Sequence, residues 1–323
     1  MTNLVSVVMA TYNGEKFIRR QLESILAQTH ANLEVIVADD ASSDTTVDIV
    51  AEYAKDPRVR LLAHRDRVGF VKNFERGLKA ANGAYVAFSD QDDVWDKRHV
   101  ESLLKHIGRH SLITSDLAAV DEDGRVLVES MKKNNGLLDW FGDETHRIAL
   151  HFRLTATGNS SLFTVEVKNK SLPFPPGIEG HDWWIAHTAV RMGGIGYTPE
   201  VLTKYTRHRG NVSSFINNDS MLRRIFRYLK PSMLRGWLEE RKKLRRLLEW
   251  SLGSGLDKTS EEKKVLIVCL NYTVALLGRS VTFNNFSDAF RYRKYLFTKP
   301  LFFWAEAAMY LVDRMGIYRW IRP

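Results

Sequence analysis

The sequence predicts an α/β fold built on a mostly parallel sheet. Three features of its first 90 residues carry that expectation. Strand-length apolar runs alternate with helical patterns, the runs are apolar on both faces, and most of them end in polar or acidic residues. In order, Leu4–Ala10 (LVSVVMA) is a continuous apolar run of strand length. Glu15–Gln28 places Phe17, Ile18, Leu22, Ile25 and Leu26 on one helical face. Leu33–Ala38 is the second strand, and Ser43 is placed to cap a helix running through Val47, Val50 and Ala51. Val59–Ala63 gives a third strand, Val71–Ala81 a third helix and Ala84–Phe88 a fourth strand.

Beyond Asp96 the pattern is mixed. A helix is expected over His99–Ile107 and a strand over Leu112–Val120. Asp121–Gly124 (DEDG) then turns the chain into Arg125–Val128 as a hairpin. A glycine-containing strand region follows at Thr155–Val165. Pro173, Pro175, Pro176, Gly177 and Gly180 mark an irregular loop before a helix over His181–Arg191. From Ser220 the pattern is helical, with Gly253–Gly255 as a break. Val265–Leu277 is too short and too interrupted by polar residues to span a bilayer, so it reads as a buried helix. The expected organisation is a catalytic domain over 1–219 and a helical region over 220–323.

Composition narrows the class. Of 323 residues 44% are hydrophobic, which excludes wholesale disorder. The single cysteine, Cys269, excludes an internal disulfide framework and a Cys-rich zinc site, and fits a reducing compartment. The N-terminal MTNLVSVVMA lacks a basic n-region and a cleavage site and reads as a strand. Charge is unevenly spread: residues 1–219 hold 26 Lys/Arg against 29 Asp/Glu, and residues 220–323 hold 21 against 9. An acidic body with a basic tail implies one part holding a cation or polar substrate and another facing something anionic.

In a parallel sheet, ligands bind outside the carboxyl ends of the strands. Here the first strand runs into Thr11-Tyr12-Asn13-Gly14, the second into Asp39-Asp40, and the fourth into Ser89-Asp90-Gln91-Asp92-Asp93. Five carboxylates on one rim repel, so they take up protons or recruit a positive partner. A hard cation, Mg²⁺ or Mn²⁺, that also bridges a diphosphate answers this need. Asp44 and Asp96 read instead as caps or turn residues. There is neither a G-x-G-x-x-G after the first strand nor a P-loop, which argues against a dinucleotide dehydrogenase and a P-loop NTPase.

The segment VSVVMATYNGEKFIRRQLESILAQTHANLEVIVADDASSDTT, followed by FSDQDDVW, resembles the family 2 glycosyltransferases of the GT-A fold. Within them it is most similar to bacterial rhamnosyltransferase-type enzymes of O-antigen and capsule assembly. The resemblance covers about residues 4–212. It implies that Thr11 and Tyr12 flank the nucleotide base, and that Asp39 accepts from a ring N–H. Asp90 and Asp92 form a D-x-D pair, Asp90 nearer the ribose and Asp92 on a Mn²⁺ or Mg²⁺ ion, with Asp93 positioning the sugar. Thr157-Gly158-Asn159 lines the donor and acceptor site, Asp182 is the general base, and His208 completes the metal shell.

The residue types are suited to those roles. A carboxylate can take the acceptor proton as the sugar–phosphate bond breaks, and a helix start favours its charged form. Trp183 and Trp184 are placed to stack on a sugar or to pack the core. His208 between Arg207 and Arg209 reads as a ligand or a surface residue. The ending Arg207-His208-Arg209-Gly210-Asn211 departs from the family's Arg-x-His-Gly-Asn-Asn, and leaves Arg207 or Arg209 to reach the diphosphate.

The implied reaction is a single displacement with inversion. The donor is a dTDP- or UDP-sugar, and the acceptor a glycan or lipid-linked oligosaccharide. Ten Lys/Arg between Arg223 and Arg246 are interleaved with aromatic and aliphatic residues, and aromatics recur through Tyr292–Trp320. This suits peripheral contact with the inner face of the plasma membrane, or a homodimer interface. A sugar-nucleotide pyrophosphorylase would need a glycine- and arginine-rich loop where Thr11–Gly14 stands. A nucleic-acid-binding protein would leave the acidic rim unexplained.

Overall fold

The structure, a computed structural model, describes residues 3–134, 156–178, 180–208 and 210–211, and within 242–291 chiefly 248–253 and 258–277. The chain divides into two compact units. The first comprises residues 1–134, 141–143 and 154–213, the second 135–140, 144–153 and 214–323.

The first unit alternates as expected at its start: β1 (Val5–Thr11), α1 (Ile18–Leu26), β2 (Leu33–Asp39), α2 (Thr46–Tyr53), β3 (Val59–Ala63), α3 (Phe70–Lys79) and β4 (Tyr85–Ser89). There follow β5 (Val94–Trp95), α4 (His99–His106), β6 (Leu112–Val120), β7 (Val126–Val128) and α5 (Met131–Asn134). A 3-10 turn (Gly158–Ser160), β8 (Ser161–Thr164), α6 (Val165–Ser171), α7 (His181–Val190) and β9 (Ile195–Thr206) complete it. The strands form one mixed sheet in the order β3-β2-β1-β4-β8-β6-β9-β5, with β7 added on β6. The first four strands are mutually parallel, and β8 enters antiparallel between β4 and β6.

Both faces of the sheet are covered, which is why β1 is apolar throughout rather than alternating. On one face Val5, Val7 and Met9 pack with Ile18, Leu22 and Ile25 of α1 and with Val100 and Leu103 of α4. On the other, α3 lies so close that a Cβ on Gly77 would sit 2.5 Å from Val8 Cγ1. Strand register aligns the rim: Thr11 stands opposite Asp39, and Met9 opposite Ser89.

Besides the short β5 and α5, four features depart from the sequence reading. Ser43 does not cap α2, which starts at Thr46 after Thr45; the Ser43 backbone N–H donates to Asn13 Oδ1 at 2.9 Å instead. The region expected as one strand from 155 to 165 is a 3-10 turn followed by four residues of strand. The helix over Val165–Ser171 was not expected. Nor was β9, whose twelve residues contain Pro199. The pairing of β9 with β6 jumps from Ser115–Thr198 to Asp116–Val201, so Pro199 lies in a bulge where no ladder N–H is needed.

In the second unit, α8 (Ser260–Leu277) contains the apolar run anticipated as a helix and buries Val265, Leu266, Cys269 and Tyr272. Among the described residues, no helix is long and apolar enough to cross a membrane. Arg241 and the aromatic run Tyr292–Trp320 lie outside the described residues.

Candidate active site

The carboxyl ends of β1 and β2 are tied into one rim by short polar side chains. The Thr11 hydroxyl donates to Asp39 Oδ2 at 2.9 Å; Ser42 donates its backbone N–H to Oδ1 at 2.8 Å and its hydroxyl to Oδ2 at 2.5 Å. Asn13 and Ala41 adopt left-handed backbone, with φ of 48° and 63°. Asn13 tolerates this readily, and its N–H donates to the Ser42 hydroxyl at 2.9 Å. Asp40 accepts from the Val68 and Gly69 N–H groups at 2.7 and 2.8 Å, so it anchors the loop before α3. Asp44 and Asp96 are turn residues, accepting from the N–H groups of Thr46 and Arg98 at 3.0 and 2.9 Å.

At the end of β4 the D-x-D segment divides its labour. Gln91 clamps the neighbouring loop: Tyr12 N–H donates to its Oε1 at 2.9 Å, and its Nε2 donates to the Tyr12 carbonyl at 3.1 Å. Asp92 Oδ2 lies 2.8 Å from His208 Nε2. His208 Nδ1 accepts from the Gly210 N–H at 3.1 Å, so Nε2 carries the ring proton toward Asp92. The His208 ring stacks on Phe17 at 4.5 Å. Asp93 has no exposed surface. It accepts from Asn159 Nδ2 and, at 3.0 Å, from the Thr206 N–H, so it sits behind the rim and ties the 3-10 turn to the end of β9.

Electrostatically the rim is under strain. Burial, followed by the charges of Asp93, Asp92 and Asp182, raises the Asp90 carboxyl well above its ordinary range. Burial and the neighbouring Asp92 push Asp93 up to about 8, partly offset by its hydrogen bonds. Crowded carboxyls of this kind hold protons until a cation replaces them.

Asp182 joins this group from the first turn of α7. Its Oδ1 accepts from the Trp183 N–H at 2.8 Å and its Oδ2 from the Gly158 N–H at 3.3 Å. Gly158 fits because a Cβ there would meet Asp182 Cβ at 3.3 Å and Phe88 Cβ at 3.4 Å. The two tryptophans that follow are turned toward protein. Trp183 is buried with its ring 4.2 Å from His187, and Trp184 donates its indole N–H to the Ser171 carbonyl at 2.9 Å. Trp183 thus packs within its own unit, and Trp184 is half-buried. Asn159 is buried: its carbonyl accepts from Trp95 Nε1 and Thr203 Oγ1, both at 3.0 Å. Arg207 is exposed, its N–H donating to the Val120 carbonyl at 2.8 Å. Arg209 lies outside the described residues.

The donor set fits a divalent cation. Asp92 offers a carboxylate oxygen and His208 its Nε2, which would ligate once its proton moved to Nδ1, beside carboxyls that a positive charge would return toward ionisation. Among the described residues no three His, Cys, Asp or Glu side chains form a ready cage, so a bound diphosphate would have to supply further oxygens.

Residues 6–160 match the family described as "Glycosyl transferase family 2". This segment belongs to the family 2 glycosyltransferases. Among its curated relatives is an uncharacterized glycosyltransferase of Haemophilus influenzae, 28% identical over 230 residues, or 67% of this chain and 69% of that one. The Escherichia coli enzyme WfgD, named as a UDP-Glc:alpha-D-GlcNAc-diphosphoundecaprenol beta-1,3-glucosyltransferase, is 41% identical over 98 residues, or 30% of this chain and 38% of that one. This glycosyltransferase spans 59% of the length of its mycobacterial relatives. Of solved structures, S. aureus TarS 1-349 in complex with UDP-GlcNAc superposes with a TM-score of 0.59 at 17% identity, covering 97% of this chain and 92% of TarS. The mannosyltransferase PcManGT of Pyrobaculum calidifontis, with GDP-Man and Mn²⁺, gives 0.54 at 16% identity, covering 97% and 88%. The fold of this glycosyltransferase is therefore GT-A.

Three residues at the site were not found by sequence reasoning. Gln91 is the variable position of D-x-D, and its type gives no hint that it clamps Tyr12. Phe17 reads as one more apolar residue of the first helix, although its ring lies on His208. Arg67 places its guanidinium 3.8 Å from the centre of the Tyr12 ring, from a loop with no recognisable motif.

Proposed function

We propose that this enzyme transfers a sugar, with inversion, from a pyrimidine nucleoside-diphosphate sugar to a hydroxyl of a growing cell-surface glycan. The observation that carries the reading is the gathering of Asp90, Asp92 and Asp182 on one sheet edge, with His208 against Asp92. Tyr12 and Asp39 hold the base, Asp39 accepting from its ring N–H, which suits uracil or thymine. Asp90 lies toward the ribose. Asp92 and His208 would hold Mn²⁺ or Mg²⁺, which when bound neutralises the leaving diphosphate. Asp182, held by the Trp183 and Gly158 N–H groups, takes the proton of the attacking hydroxyl. Attack from the face opposite the diphosphate in one displacement inverts the anomeric carbon.

The names of the relatives favour UDP-linked hexoses, and the sequence resemblance favours dTDP-rhamnose. The WfgD acceptor favours a polyprenyl-diphosphate-linked glycan, which would place the enzyme at the inner face of the membrane. Its basic C-terminal region, 220–323, would then lie on anionic lipid, or pair with a second copy. The test is donor binding followed by turnover. Calorimetry with dTDP-rhamnose, UDP-glucose and UDP-GlcNAc in Mn²⁺ identifies the donor, and Asp182→Asn then abolishes transfer while leaving donor affinity within about twofold. Wild-type turnover by Asp182→Asn would move the base elsewhere.

A further inference from the structure

Lys132 is almost completely buried, with 1% of its surface exposed, and no step of the reaction above uses it. A buried ammonium is costly unless its surroundings compensate it. Its Nζ donates to Thr114 Oγ1 on β6 at 2.6 Å, and lies 5.4 Å from the centre of the Tyr197 ring on β9. Asp116 fixes the backbone around it. Asp116 Oδ1 accepts from the Lys132 N–H at 3.2 Å and the Leu117 N–H at 2.7 Å; its Oδ2 accepts from the Ser130 hydroxyl at 2.5 Å and the Tyr197 hydroxyl at 3.3 Å.

The contacts continue toward the active site. Thr114 Oγ1 is 3.1 Å from Ser160 Oγ, and Ser160 Oγ is 2.7 Å from Thr157 Oγ1. Thr114 Oγ1 also reaches the Ser160 carbonyl at 3.4 Å, and Ser160 Oγ the Thr157 carbonyl at 3.3 Å, so each hydroxyl has an acceptor further along the turn whichever way the protons lie. Thr114 and Ser160 have no exposed surface, so water does not compete for this chain of hydroxyls. The Thr157 carbonyl also accepts from the Ser160 N–H at 3.2 Å and the Ser161 hydroxyl at 2.7 Å, which closes the turn. The next residue is Gly158, whose N–H reaches Asp182 Oδ2 at 3.3 Å.

We propose that Lys132 is a positioning residue: through Thr114 and Ser160 it holds the Thr157–Ser160 turn where Gly158 can aim its N–H at Asp182. Polar contacts then link a lysine on α5, far from Asp182 in sequence, to the orientation of the carboxylate that takes the acceptor proton. The proposal rests on the reading of Asp182 as the base.

The experiment compares Lys132→Met and Thr114→Val in the full chain with Asp182→Asn, measuring kcat, acceptor KM, donor Kd and thermal melting. A small misplacement of a catalytic group costs about one to two orders of magnitude in rate. Both positioning variants are therefore expected to lose roughly tenfold in kcat, with acceptor KM and donor Kd within about twofold of wild type. Thr114→Val also takes the acceptor from the Lys132 ammonium, so Ser160→Ala, which keeps that bond and removes the hydroxyl that reaches Thr157, is measured beside them with the same expected loss and decides the matter if the other two do not fold. Folded variants that melt at lower temperature but turn over at the wild-type kcat would overturn the proposal and make Lys132 a purely structural residue. A matching loss of donor affinity would also overturn it. Wild-type turnover by Asp182→Asn would instead refute the base assignment, so the two failures are distinguishable.

Discussion

Gly14 is the position at which one methyl group should report on the whole rim. Its backbone lies beside the Gln91 side chain, and a Cβ there would sit 2.3 Å from Oε1 and 2.6 Å from Cδ. Those atoms belong to the end of a flexible side chain, so Gly14→Ala does not break the backbone. It expels the Gln91 carboxamide, and with it the two hydrogen bonds to Tyr12 at 2.9 and 3.1 Å. At about 0.5–1.5 kcal/mol each, their loss amounts to about 1–3 kcal/mol. Gln91→Ala removes the same two bonds and should cost a similar amount. In the double variant the new methyl enters the space that Gln91 has left, so the combined cost should equal either single cost rather than their sum. Urea denaturation of the four proteins measures this coupling, and nucleotide calorimetry shows whether releasing Tyr12 weakens donor binding. Additive costs, with coupling within about 0.5 kcal/mol of zero, would refute the steric account and with it the clamp.

Two further outcomes are expected. Mn²⁺ affinity in the presence of nucleoside diphosphate, read by electron paramagnetic resonance, should fall at least roughly tenfold in Asp92→Asn and in His208→Ala, and turnover should be lost with chelator; full activity in EDTA would exclude the cation. Buried His99, stacked at 4.0 Å on Trp95, is pushed down to about 4 by burial, below the ordinary histidine value of 6.5. Between those two values the unfolded chain binds the proton and the folded one does not, so stability should be fully present above pH 6.5 and decline as pH falls toward 4. His99→Asn, which keeps a donor for the Leu202 carbonyl, should show a shallower decline; an unchanged slope would mean His99 does not contribute.

Much of the site was legible because its chemistry lies at strand ends. The apolar runs that specify β1, β2 and β4 stop where Thr11, Asp39 and Asp90 begin, and a parallel sheet brings such ends to one edge whatever lies between them. Asp182 was singled out by the resemblance to the family, and its place in the first turn of a helix, where backbone N–H groups favour a charged carboxylate, agrees with that reading. Asp93 and the Trp183-Trp184 pair had the right types and neighbours for a substrate role. The burial of Asp93 and Trp183 and the Trp184 bond to Ser171 depend on α6, α7 and β9, however, and two of those three elements carry weak local signals. Val165–Ser171 is short, and Ile195–Thr206 mixes Pro199 with threonines and a lysine.

The sequence alone thus determined the alternating α/β beginning, the acidic rim and the family, since strand periodicity and strand-end motifs are local properties. Only the tertiary structure decided which rim residues are held by other parts of the protein. Gln91 on Tyr12, Phe17 on His208, Asp93 between Asn159 and Thr206, and Lys132 in line with Thr114 and Ser160 all join residues distant in the chain. Such pairings follow from the order β1-β4-β8-β6-β9 of the sheet. That order is set by long-range burial, to which no single segment of sequence holds the key.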